Sequence, residues 1–141
     1  MISRVAESCF WLHRHLERVD RTARNVDVNR AFVLDSQLED TETWWPLLVV
    51  SGEGPRFLER FGPDAAADGE HVQAYLTWDR DNPVSILVAT QWARENARTI
   101  RETVSREMWG CLNHFWLWLS EGPGKRVYAR DRAEFFTQVR E

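Results

Sequence analysis

The sequence predicts an all-α fold, a helical bundle with two long helices and several shorter ones, on three observations. Apolar residues recur in alternating steps of four and three from Val5 (Cys9, Leu12, Leu16, Val19, Ala23, Val26) and again from Ile86 (Thr90, Ala93, Ala97, Ile100, Val104). That is the spacing of one helix face. No proline or glycine interrupts residues 1–45 or 86–104, and no sustained period-two alternation marks a strand.

Each element follows from local signals. Ser3 suits an N-cap, and the first helix extends to about Leu34. Residues 35–43 read as an acidic, polar link. Pro46 marks a helix start, because proline fits the first turn and disfavours helix just before it. That short helix ends at Ser51-Gly52. A further piece lies in GPRFLERFGP, between Pro55 and Gly62-Pro63. DAAADGEH reads as a loop or short turn, and His71 to Trp78 as helix. Asn82-Pro83 is the expected start of the second long helix, with Asn82 capping the free amides. This helix runs to Ser105 or beyond, and Met108, Leu112, Phe115 and Leu119 continue the pattern after a kink near Ser105. Gly122-Pro123-Gly124 stops it, and Asp131 caps a last helix to Gln138.

A chain of 141 residues fits one domain, residues 1–141, with a single core. Hydrophobic residues at 43% and charged residues at 28% match a folded globular protein rather than a disordered one. The net charge of −4 argues against general nucleic-acid binding. Residues 35–82 hold eleven acids against three arginines, between two stretches rich in arginine, which predicts pairing between segments. All but one of the 18 basic residues are arginine, the planar cation suited to bidentate carboxylate or phosphate contacts. The N-terminus lacks the apolar run of a signal peptide and no stretch suits a bilayer, so the cytoplasm is the expected compartment and no membrane partner is expected. Cys9 and Cys111 have no metal-like spacing, and Cys9 lies on an apolar stripe as a small hydrophobe would.

No catalytic or metal motif stands out: Glu-x-x-His, HExxH, P-loop, GxSxG and GxGxxG are all missing. His13 and His15 point to different sides of a helix and cannot share a metal. No metal and no cofactor is expected. Two polar constellations remain. Around Glu17-Arg18, the pairs Glu17–Arg21 and Asp20–Arg24 have i, i+4 spacing. Phe10 and Val28 share the face of Glu17 and Arg21, which predicts cover from another helix. The second constellation is ARENARTIRE, where Arg94, Arg98 and Arg101 form a stripe at the boundary of the apolar face. Snorkelling stems explain such a stripe. Alternatively the heads converge with Glu17 and Glu102, and with Glu95, on a polar site between helices. The candidate polar site is Glu17, Arg18, Arg21, Arg94, Glu95, Asn96, Arg98, Arg101 and Glu102.

Taken in order, ISRVAESCFWLHRHLERVDRTARNVDV, WWPLLVVSG, YLTWDRDNPVSI and ARENARTIRETVSREMWGCLN resemble the alpha-E domain family, a bacterial all-helical group of unknown function with a Glu-Arg motif. The resemblance covers Met1 to about Asn113. Family motif positions correspond to Glu17, Arg18, Asn82, Pro83, Ser85, Arg94, Glu95, Asn96, Arg98, Arg101, Glu102, Ser105, Glu107, Trp109 and Asn113. The resemblance implies association with ATP-grasp ligases and transglutaminase-like proteins, in a system that makes or modifies peptides. Members usually continue into a second half that echoes the first. This chain therefore looks like the first half of the usual length, and an apolar face left unpaired implies a homodimer through tryptophan-rich surfaces.

Three functions fit these observations. The first is a non-catalytic accessory or scaffold module whose arginine and glutamate residues hold a carboxylate or organise the bundle. The second is a purely structural polar network in an interaction domain. The third is an acyl- or phosphoryl-transfer enzyme, with Glu17 as acid or base and Arg94, Arg98 and Arg101 as an anion site.

Overall fold

The structure is a computed structural model describing residues 2–35 and 40–141, with side chains described over 2–35 and 43–141. The helices are α1 (Ile2–Asp35), α2 (Asp40–Ser51), α3 (Gly54–Phe61), α4 (Gly69–Trp78), α5 (Ile86–Thr99), α6 (Arg106–Ser120), α7 (Pro123–Arg130) and α8 (Arg132–Arg140), with a 3-10 turn at Pro63–Ala67 before α4. Among the described residues there is no strand, as an all-α chain requires. None of their helices is long and apolar enough to cross a membrane.

Helix α1 forms because its apolar residues keep helical period over 34 residues. It buries Leu12, Val19, Ala23 and Val26. The principal partner is α5, which buries Ile86, Ala89, Ala93 and Ala97. Val19, Ala23 and Val26 belong to the main core with Ile86, Ala89, Trp44, Tyr75, Phe135 and Phe136. Leu12 lies in a smaller cluster with Ala93, Ala97, Ile100 and Leu112. The two helices therefore run antiparallel, the start of α1 beside the end of α5.

Several boundaries differ from those the sequence predicts. Ser3 lies inside α1 and is not its cap. The acidic link over 35–43 falls in part outside the described residues, and helix is already present at Asp40. Pro46 lies inside α2 rather than at its start. Burial of Trp44 and Leu48 on that helix offsets the hydrogen bond that proline removes. DAAADGEH holds the short turn expected of it, but α4 already starts at Gly69 rather than His71, with Asp68 capping it through the Glu70 N–H.

The second long helix begins later and ends earlier than expected. Asn82 is not its cap, because its side chain is used elsewhere. Its Nδ2 donates to the Tyr75 carbonyl at 3.0 Å, and its Oδ1 accepts from the Val84 N–H at 3.0 Å. Ser85 caps α5 instead, accepting from the Val88 N–H at 3.2 Å. After Thr99 the chain makes tight turns, with Thr103 N–H donating to the Ile100 carbonyl, until Ser105 caps α6. Residues 86–120 are thus two helices separated by turns, not one helix with a kink. Gly122, at φ +117, ends the α6 region, and Pro123 starts α7, a helix the sequence did not suggest.

Asn82 joins the end of α4 to the approach to α5 and is fully buried. Asn82→Ala leaves a carbonyl and an N–H without partners, so urea unfolding should show a loss of about 2–4 kcal/mol.

Both tyrosines hold their protons beyond the usual range. Burial pushes Tyr75 up, helped by its hydrogen bond to Glu53 at 2.8 Å, and burial pushes Tyr128 up to about 12. The folded state thus retains protons that the unfolded chain releases near pH 10. The stability that these retained protons contribute is fully present below pH 10 and should be lost as pH climbs from 10 to about 12 and beyond. Phenolate absorbance of the native protein should stay flat through pH 10, and a native transition centred there would contradict this.

Candidate functional site

The α5–α6 hairpin brings one group of polar residues together. Arg94 of α5 is partly buried, and its Nε donates to Asn113 Oδ1 of α6 at 2.9 Å. Its guanidinium carbon lies 5.6 Å from the Trp109 ring centroid, and that of Arg101 lies 5.2 Å from the same centroid. Two guanidiniums therefore share one indole, an arrangement of cation–π attraction. Glu95 meets Arg98 at 2.8 Å and Arg94 at 3.7 Å. Arg98 is 66% exposed at its side chain, so this pairing is screened and weak. Arg101 and Glu102 are exposed and make no ion pair among the described residues. The edge thus carries three arginine cations against one engaged carboxylate.

Asn96 takes no part in that edge, because its Nδ2 donates back to the Trp92 carbonyl at 2.8 Å. The α1 residues are also elsewhere. Glu17 pairs with Arg14 at 3.6 Å, and its side chain is 60% exposed. The expected Glu17–Arg21 pair does not form, whereas Asp20 and Arg24 do meet, at 3.2 Å. Arg21 lines a shallow surface hollow with Glu17, Asp20 and Arg24. Arg18 is half-buried on the flank of α1. Its charge, secondary to burial, holds the nearby His15 below the ordinary histidine value.

A single site combining Glu17 with the α5 arginines is therefore not present. Burial of Val19 against α5 fixes the reason, since Glu17 lies on the far side of the same helix. The predicted cover over Phe10 and Val28 is absent as well: they are 56% and 63% exposed. Nor do the middle acids pair with the two arginine-rich stretches among the described residues. Arg60 pairs with Asp79, Arg132 with Glu70, and Arg140 with Asp20.

A cleft of about 740 Å³ opens on the other flank of α6, between α1, α6 and α8. Leu16, Val19, Leu112, Phe115, Trp118 and Val139 give it an apolar lining, with Arg140 and Asp20 at its edge. Periodicity places these residues on inward faces but does not show that the helices leave space between them. Trp109 and Asn113 entered the sequence reading only as family positions, since spacing along α6 carries no sign of a bond to α5. No group of His, Cys, Asp and Glu suited to a metal ion occurs among the described residues.

Fold and edge together define an all-α domain with an arginine-rich border resting on tryptophan. The chain belongs to the Alpha-E family, whose model is described as a predicted alpha-helical domain with a conserved ER motif and matches residues 1–141. No curated protein and no solved structure matches it.

Asn113→Ala removes the acceptor that holds Arg94 across the hairpin. Thermal or urea unfolding should register a loss of about 1 kcal/mol, and Asn113→Asp should restore most of it by accepting the same bond.

Proposed function

We propose that this Alpha-E domain is an accessory or scaffold module that docks an acidic segment on the edge formed by Arg94, Arg98, Arg101 and Trp109. The carrying observation is the imbalance at that edge. Glu95 is shared by two arginines, while Arg101 rests on Trp109 without a carboxylate. A guanidinium already oriented over an indole loses less freedom when it forms a bidentate carboxylate contact. Arg94 serves as the internal post, and Arg98 and Arg101 supply the exposed heads.

The family resemblance suggests the partner: an ATP-grasp ligase or a transglutaminase-like protein in a bacterial, cytoplasmic peptide-making or peptide-modifying system. A peptide carboxylate is the chemistry that such systems share with this edge. The Arg94–Asn113 bond favours a second, structural reading for Arg94 alone, as a tie between α5 and α6.

The test is isothermal titration with a short polyglutamate peptide and with an ATP-grasp ligase from the same organism, comparing wild type with Arg101→Glu. Arg101 is exposed, so the variant should fold normally. Binding of both probes is expected, with affinity about tenfold lower in the variant, or about 1.4 kcal/mol. No binding, or equal binding by both proteins, would overturn the proposal.

A further inference from the structure

At about 100° per residue, Phe10, Glu17, Arg21 and Val28 lie within about 20° of one line along α1, opposite the buried Val19. Ala6 and Phe32 flank the same line. Nothing in the described chain covers this face: Phe10, Val28 and Phe32 are all more than half exposed. Phe10 near one end of this face and Val28 with Phe32 near the other leave exposed apolar area on either side of the charged pair Glu17 and Arg21.

We infer that this face receives the same face of a second copy of the chain, with the two α1 helices antiparallel. The order of residues carries the inference. About a two-fold axis beside position 19, residues equally distant on either side meet: Ala6 opposes Phe32, Phe10 opposes Val28, and Glu17 opposes Arg21. Each match occurs twice, as an isologous interface requires. Small faces large, apolar faces apolar, and acid faces base. Arg21 has no ion pair among the described residues, and Glu17 of the second copy supplies one.

One pairing is less favourable, because Arg14 faces Arg24 of the second copy. Each already has an acid on its own helix, Glu17 at 3.6 Å and Asp20 at 3.2 Å. The antiparallel arrangement also sets opposite helix dipoles side by side. At 34 residues α1 is roughly 50 Å long, enough to supply about 800 Å² per partner in an interface of standard size. This surface is separate from the α5–α6 edge, so either proposal can fail without the other.

Charge exchange tests both the dimer and its register. Sedimentation velocity of the wild-type chain at high micromolar concentration should show a dimer. Glu17→Arg and Arg21→Glu should each weaken it at least about tenfold by placing like charges across the axis, and the double exchange should restore it. Phe10→Asp should abolish it while the circular dichroism melt stays cooperative. A wild-type monomer would overturn the inference and leave the face to a different partner. A dimer indifferent to both single reversals would overturn it equally.

Discussion

The antiparallel seam between α1 and α5 is the constraint on which the other features depend. Four alanines lie in it, Ala23 on α1 and Ala89, Ala93 and Ala97 on α5, all fully buried. Small side chains let two helices approach closely, and the larger Leu12, Val19, Val26 and Ile86 fill the space around them. Replacing an alanine here with a larger residue would force the backbones apart, a cost of overpacking rather than of lost contact. The outer helices then pack around this pair: α2, α3 and α4 at the Val26 end, α6 along α5, and α7 and α8 closing the main core through Phe135 and Phe136.

Once the seam is set, the polar residues have little choice of place. Burying Val19 sends Glu17 and Arg21 outward, away from α5. Burying Ala93, Ala97 and Ile100 puts Arg94, Arg98 and Arg101 on the border, where α6 supplies Trp109. One seam thus separates two sets of charged residues that the sequence grouped as one candidate polar site. Physical convergence on a common ligand within one chain is not available to them. Any shared importance must arise from separate tasks or from assembly.

Helical period made much of the fold legible. It identified α1, the α5 face and the boundary position of the arginine stripe. It was less informative where side chains act across elements. Asn82 beside Pro83 resembles a helix cap, yet burial against α4 recruits its amide to the Tyr75 carbonyl and passes the cap to Ser85. Pro46 resembles a helix start, yet Trp44 and Leu48 hold the helix on both sides of it. The partner of Glu17 was misread for a related reason. On an exposed helix, the i, i+3 and i, i+4 options differ by only a few tenths of a kcal/mol, and spacing alone does not choose Arg14 over Arg21.

The same distinction bears on what the motif positions do. Asn82, Ser85, Ser105, Arg94 and Asn113 each hold a backbone or cross-helix bond, so their identities follow from folding alone. Glu17, Arg98 and Arg101 form no bond that the fold requires; their links are exposed, local or absent. Loss of function on changing the first group is therefore ambiguous, because a disturbed hairpin would displace Trp109 and the edge built on it. Changes in the second group act on surfaces while leaving the seam intact. Phe10 and Val28 strengthen the separation. Apolar exposure opposite the most buried line of α1 has no role in this chain's own core, so its chemistry is directed outward.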